Sequence, residues 1–296
     1  MQENVTLQYI TENKDIQIVY SDKDIVIFDT IQQFADVSAA HLELNAIAIC
    51  IKGKVQGMLN GQFIELCENQ VGIIPLGGLV TNLMVSPDCQ IKVLCISNEM
   101  LHEFLRDKMR LWDNMMYVQH LHTITMKQQE MAFYTHFYGM MEMCLHQQYG
   151  YPFSSEVIQA LLRSGMLALC GAFISKMPKD FGQPASASNN HFRQFLNVLH
   201  QETVKHRTVD WYAAQLCISP KYLSAVCKKY SGKTANEWIT ENVLEDIRYY
   251  LRQTDLSIKQ ISDILGFSTP SFFGKFVREH LGATPVNFRE QGANPR

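Results

Sequence analysis

The chain has 296 residues, 47% of them hydrophobic, with 26 Lys and Arg against 29 Asp and Glu. That length fits roughly two domains of ordinary size, and that much apolar content excludes a disordered chain. The net charge of −3 argues against a polyanion partner until it is divided: residues up to Ser188 carry 12 basic and 19 acidic side chains, net −7, and those from Asn189 onward carry 14 and 10, net +4. A nucleic-acid partner is therefore to be sought at the C-terminal end.

The first residues carry no basic stretch followed by an apolar core, so no secretory leader is expected. Residues 16–97 read as β-structure. Short Ile- and Val-rich runs (Ile25–Phe28, Ala46–Ile51, Val71–Ile74, Ile91–Ile96) alternate with the turn signals Lys52-Gly53-Lys54, Asn60-Gly61, Gly77-Gly78 and Pro87-Asp88. Asn60-Gly61, between Val55–Leu59 and Gln62–Leu66, predicts a two-residue hairpin. Strands at this spacing predict a small barrel or sandwich.

After Ser97 the periodicity turns helical over Glu99–Trp112, Lys127–Tyr149 and Ser154–Lys176, the last with Ser154 as N-cap and Glu156 in its first turn. Its apolar positions Val157, Leu161, Leu162, Met166, Leu169 and Phe173 recur at three- and four-residue steps. Tyr117, Phe133, Tyr134, Phe137, Tyr138, Met140, Met141 and Met143 make an aromatic, Met-rich segment that reads as core rather than as a ligand box. The uncharged apolar stretch Gly165–Ile174 falls short of the ~20 residues a membrane span needs. Eight cysteines, none in a CxxC pair and most among aliphatic neighbours, read as small buried hydrophobes in a reducing, cytoplasmic setting. Met177–Asn190, with two Pro, a Gly and several small polar residues, reads as a linker, and the charge changes sign there. The predicted order is a β region over 1–98, a helical region over 99–180, a linker over 181–190 and a helical domain over 191–296.

The last region contains a repeat. Leu216 to Ser224 matches Leu265 to Gly274, with one extra residue, Thr269, in the second copy; downstream Lys228, Gly232, Thr234 and Trp238 match Arg278, Gly282, Thr284 and Phe288. Each copy has a short amphipathic helix, a tight turn and a second helix. In the first, Val209–Leu216 leads through Cys217-Ile218-Ser219, where Ser219 caps a helix opened by Pro220. In the second, Ile258–Leu265 leads to Gly266, suited to a positive φ, and Thr269-Pro270 opens the next helix. Two helices so joined form a helix-turn-helix, which presents the second helix to the DNA major groove. Leu223, Val226 and Cys227, and in the second copy Phe273, Phe276 and Val277, are spaced for burial. Lys221, Ser224, Ala225, Lys228 and Lys229, and Ser271, Phe272, Gly274, Lys275 and Arg278, occupy the remaining faces.

Residues from about Gln194 to Glu290 resemble the C-terminal DNA-binding domain of AraC/XylS-type transcriptional regulators. The string Ile258-x-x-Ile261-Ser262-x-x-Leu265-Gly266-Phe267 carries that family's core, Phe273-x-Lys275-Phe276-Val277-Arg278 its recognition-helix stretch, and Gly282-x-Thr284-Pro285-x-x-Phe288-Arg289 its ending. The resemblance implies two helix-turn-helix units joined by a long helix, here Ala235–Arg252, entering successive major-groove segments. It places base contacts on Lys221, Ser224 and Ala225 in the first unit and on Ser271, Gly274 and Lys275 in the second. Ser219, Lys228, Thr269 and Arg278 would hold phosphates, which position without reading sequence. Many members have Arg where Ala225 stands and a polar residue where Gly274 stands. Neither Ala nor Gly makes a bidentate base contact, so specificity would rest on fewer groups, on methyl contacts to thymine or on DNA shape.

The β region resembles the cupin-like sensor barrel that precedes this domain in many members, through Lys52-Gly53-Lys54-Val55, Met58 to Gly61 and Cys67 to Pro75. Metal-binding cupins need several His and Glu ligands together. Here His41 stands alone beside Glu43, no His follows Pro75 until His102, and His120 and His122 lie in the later helical region. Neither a metal cofactor nor a cupin enzyme is expected. The reading is a two-domain α+β, cytoplasmic regulator: a cupin-like barrel that binds a small effector or serves as a dimerisation scaffold, homodimer contact through Ser154–Lys176, and a double helix-turn-helix that binds promoter DNA and contacts RNA polymerase. The rivals are a cupin-type metalloenzyme, which stoichiometric bound metal would favour, and an architectural protein that binds DNA without sequence preference.

Overall fold

In the computed structural model, which describes residues 2–35, 37–146, 154–177, 186–202 and 206–292, the chain divides into two units, Met1–Gln183 and Pro184–Arg296. It is an α+β protein with a sheet-rich first unit and a helical second one.

The first unit runs β1 (Gln2–Val5), α1 (Leu7–Glu12), β2 (Ile18–Ser21), β3 (Ile25–Phe28), β4 (Ala39–Leu42), β5 (Asn45–Lys52), β6 (Lys54–Leu59), β7 (Gln62–Cys67), β8 (Gln70–Ile74), β9 (Leu79–Val85) and β10 (Gln90–Ile96). It continues with α2 (Asn98–Leu105), α3 (Met109–Asp113), β11 (Thr123–Thr125), α4 (Gln128–His146) and α5 (Ser154–Ser175). The strands form a five-stranded sheet, β1-β4-β9-β6-β7, and a six-stranded one, β11-β8-β5-β10-β3-β2. The expected barrel is thus not closed: each sheet keeps two edges. The turn signals explain why. Asn60 (φ 50°) and Gly61 (φ 79°) close the predicted β6–β7 hairpin within one sheet. Lys52-Gly53-Lys54, the Pro75–Gly78 segment and Pro87-Asp88 instead carry the chain from one sheet to the other. Gly53, at φ +76°, is confined: a Cβ there would lie 2.5 Å from the Ser86 hydroxyl and 2.9 Å from the Cys89 Cα.

Side chains alternate across the strands. Val26, Phe28, Cys50, Val55, Leu59, Leu66, Val80, Ile91, Val93 and Cys95 pack into one apolar core. The alternate positions of β5 and β10, including Ile47, Ile49 and Leu94, face α4 and α5 instead.

The helical layer departs from expectation in four places. The helix predicted over Glu99–Trp112 is split by a 3-10 turn at the exposed Arg106-Asp107-Lys108, after which Met109 and Trp112 return to the core. His120 and His122 do not lie in a helix but just before β11, at the edge of the six-stranded sheet, and the His122 carbonyl accepts from the Ile73 amide at 2.7 Å. Burial pushes the His122 imidazole down to about 4. The Met-rich segment is core on one face only: Tyr134 and Met141 are buried, whereas Phe133, Met140 and Met143 are exposed. In α5, Leu162, Met166, Leu169 and Phe173 are buried as spaced, but Val157 is exposed.

Helix α5 is also more apolar than its uncharged run suggests. By length and composition Glu156–Ser175 would pass for a membrane span, because Arg163 interrupts the uncharged stretch without breaking the apolar average. Only 28% of that window is buried, so much of its apolar surface is open. Five of the eight cysteines are buried, and burial pushes the Cys95, Cys170 and Cys227 thiols up to about 12; Cys217 alone is exposed.

The second unit is α6 (Ala187–Gln201), α7 (Val209–Gln215), α8 (Pro220–Ser231), α9 (Ala235–Gln253), α10 (Ile258–Ile264), α11 (Pro270–Leu281) and α12 (Pro285–Gly292). Residues 187–190, expected in the linker, form the first turn of α6: the Ser186 hydroxyl accepts from the Asn189 amide at 3.1 Å, so small polar residues serve here as a helix start. Residues 178–185, the rest of that expected linker, lie outside the described residues. Helix α9 buries Trp238, Ile239, Val243, Ile247 and Leu251 and packs on α7 and α8 at one end and on α10, α11 and α12 at the other.

Candidate nucleic-acid interface

Each half of the second unit aims one helix by the same local chemistry. Leu216 ends α7 and Cys217 takes a left-handed conformation, φ +54°. The Cys217 and Ile218 amides donate to the Ala214 and Ala213 carbonyls. Ser219 then caps α8, its hydroxyl accepting from the Tyr222 amide at 3.2 Å, with Pro220 in the first turn. In the second half Gly266 sits at φ +66° and its amide donates to Asp263, the Phe267 amide donates to Ser262, and Thr269 caps α11 by accepting from the Phe272 amide at 3.1 Å. The two caps therefore correspond, and the extra residue in the second turn is Ser268, not Thr269 as the repeat suggested.

The far ends match as well. Gly232 (φ +76°) and Gly282 (φ +72°) end α8 and α11, their amides donating to the Lys228 and Arg278 carbonyls. Thr234 and Thr284 follow as caps of α9 and α12, the first in a full capping box with Glu237. Hydrogen bonds from the Thr234 amide and hydroxyl, with Lys233 and Lys228 nearby, hold the Glu237 carboxyl below its ordinary range.

Burial separates an inner from an outer face on both helices. Leu223, Val226 and Cys227 are buried on α8, as are Phe273 and Val277 on α11. Phe276 is half-buried and stacks on His280, with ring centres 4.2 Å apart. Lys221, Ala225 and Lys228 are exposed and Ser224 is half-buried; Ser271, Lys275 and Arg278 are exposed and Gly274 is half-buried. Among the described residues, Lys221, Lys275 and Arg278 enter no ion pair, so their charge stays available to a polyanion. A Cβ built at Gly274 meets nothing within 4 Å, so the surface is open there rather than filled by a neighbour.

Phe272 lies on the outer face as its spacing predicts, while Tyr222 and two arginine clamps add to the site. Tyr222 and Phe272, the third residues of α8 and α11, are 41% and 47% exposed, large aromatics beside the predicted base-contact positions. Their signal was Pro-x-aromatic at the same place in both copies. Arg207 clamps the second turn, donating to the Leu265 and Gly266 carbonyls at 3.2 and 2.9 Å with its guanidinium 4.2 Å from the centre of the Phe267 ring. Arg289 donates to the Leu251 and Leu256 carbonyls at 3.1 and 2.6 Å, tying α12 to the end of α9. Neither clamp has a local sequence pattern that would reveal its distant partner.

Residues 212–291 match a family model described as a helix-turn-helix domain. The probable transcription factor PqrA of Proteus vulgaris is similar, 30% identical over 87 residues, which is 29% of this chain and 71% of that protein. The Msm operon regulatory protein of Streptococcus mutans is 26% identical over 141 residues, 47% of this chain and 51% of that protein. A crystal structure of a Chromobacterium violaceum transcriptional regulator with an AraC-type DNA-binding domain is 28% identical, covers 37% of this chain and 97% of that one, and has a TM-score of 0.32. The chain spans about half the length of the Streptococcus mutans relative, and its match covers 16% of a Bacillus subtilis helix-turn-helix-type regulator.

Proposed function

The chain belongs to the AraC/XylS family of transcriptional regulators, and we propose that it is a cytoplasmic, sequence-specific promoter-binding protein whose first unit takes a small effector and pairs two copies. The observation that carries the reading is the duplicated presentation of α8 and α11, each capped, turned and ended alike, each with outward cations that enter no ion pair among the described residues. Lys221 and Ser224 on α8, and Ser271 and Lys275 on α11, supply polar base contacts; Ala225 offers a methyl group and Gly274 an open approach to the base edges. Ser219, Lys228, Thr269 and Arg278 hold phosphates. Tyr222 and Phe272 add apolar contact to thymine methyl groups. RNA polymerase is the protein partner such a regulator addresses at a promoter. Regulators are what the named relatives are, which favours this reading over an enzyme.

Pairing is supported by α5. Val157, Ala160, Ser164, Leu167, Gly171 and Ile174, spaced alternately by three and four residues, are all exposed. Val157, Leu167 and Ile174 leave 49%, 41% and 39% of their surface open. That is the seam spacing of a two-helix coiled coil, here of apolar and small residues, and a second copy of α5 covers it. A two-state effector response then requires that the ligand bind one arrangement of the pair better than the other.

Selection of bound sequences from a random DNA pool by the full chain at moderate salt tests the reading. A defined site is expected. Equal enrichment of all sequences would leave an architectural, non-specific binder.

A further inference from the structure

Strands β5 and β10 turn one side to the core between the sheets and the other to α4 and α5. Where the two helices lean on that second side they leave a cavity of about 70 Å³. Ile49, Leu94, Phe137, Met141, Leu162 and Met166 are among the apolar side chains of its wall. Gly165 also lines it, and a Cβ there would lie 2.7 Å from the Phe137 ring. A glycine inside a 22-residue helix is unfavourable on its own; here it lets the ring lie against α5.

The wall is apolar except at Lys92, Tyr134 and Tyr138. Lys92 pairs with Asp29, the Tyr138 hydroxyl donates to the same carboxylate at 2.6 Å, and the Lys92 ammonium lies 4.6 Å from the centre of the Tyr138 ring. The tyrosine's one donor is spent. The ammonium has three, so some remain to be offered. A group that binds against the ammonium therefore accepts hydrogen bonds from it.

We propose that this cavity, rather than the space between the sheets, is the effector site, and that it takes a short branched-alkyl or aromatic carboxylate. The apolar body fills the space between sheet and helices, where water would lack polar partners. The carboxylate meets Lys92. Met141 and Met166, unbranched and adaptable, repack to admit bodies somewhat larger than the cavity as it stands. The space between the sheets is filled by the side chains of the apolar core. The proposal deepens the reading of the first unit as an effector domain and rests on it: α5 carries the cavity on one face and the exposed seam on another, so ligand and pairing act on one helix.

The test is titration of the full chain, labelled with 13C at the methionine methyl groups, with 4-methylpentanoate, benzoate and toluene. The Met141 and Met166 resonances, assigned through single Met→Leu variants, should shift together and saturate, while Met58 and Met84 in the other sheet stay still. Ile49→Phe, which fills the cavity from a strand, should abolish saturation. Lys92→Met should weaken both acids at least tenfold and leave toluene unchanged. Absence of saturable shifts at Met141 and Met166 with all three probes overturns the site. Equal weakening of acids and toluene by Lys92→Met overturns the carboxylate assignment. Should Ile49→Phe fail to fold, competition on the unaltered chain replaces it: toluene and 4-methylpentanoate must displace each other, and independent saturation overturns the single cavity. No DNA is present, so failure here leaves the DNA-binding reading standing, and failure to select a DNA site leaves this result standing.

Discussion

The two helix-turn-helix halves share a frame and differ in what they display. Both use a left-handed residue in the turn, a Ser or Thr cap, a Pro in the first helical turn and a left-handed Gly at the end. The first half nevertheless puts Cys217, not glycine, at the left-handed position and shows Lys221, Ser224 and Ala225. The second has the compatible Gly266, a cluster of rings around Phe267 with centres 5.0 to 6.0 Å away, and the Arg207 clamp on its turn. Backbone chemistry fixes where a helix points, and the outward side chains are free to diverge. The first half is the more strained at its turn and the second the more heavily braced.

Core truncation should expose that difference most. Phe273→Ala is expected to cost about 4 kcal/mol and Leu223→Ala about 3, both from fully buried sites; equal denaturation midpoints for the two would erase the claim of heavier bracing. The turns should then respond with opposite signs. Cys217→Gly removes left-handed strain and should stabilise by up to about 1 kcal/mol, whereas Gly266→Ala should destabilise by about 1–2 kcal/mol. Thermal melts giving both changes the same sign would break the comparison. Cap removal should be symmetric, with Ser219→Ala and Thr269→Ala each losing about 1 kcal/mol. The smallest effects lie at the exposed cations. Lys228→Ala and Arg278→Ala should each weaken binding to all sequences alike and lower the slope of log affinity against log salt by about one. A change in base preference from either would mark it as a reader rather than a phosphate contact.

Legibility in the sequence followed the range of the interactions. The β6–β7 turn, the caps at Ser219 and Thr269, the left-handed Gly266 and the buried stripes of α8, α9 and α11 are local chemistry, and periodicity and turn residues reveal them. The Arg207 and Arg289 clamps join groups 33 to 59 positions apart along the chain, so nothing near either arginine announces its partner. Sheet closure is not legible for a related reason: Gly53, Gly77 and Pro87 say that the chain turns, not which sheet it enters next. Asn189 and its small polar neighbours suit a linker and a helix start equally well. Val157 and Leu167 have the apolar character of core positions, and only the packing of α5 leaves them outward.

The central claim is that two helices of one chain each read their own stretch of DNA. It is tested most directly by comparing the base-preference map of the unaltered chain with those of Lys221→Ala and Lys275→Ala, measured by selection from one random pool. The account predicts that the two substitutions relax preference in separate segments, centred about 10 base pairs apart, one helical turn of the duplex. Relaxation of the same positions by both, or of none by either, would contradict it.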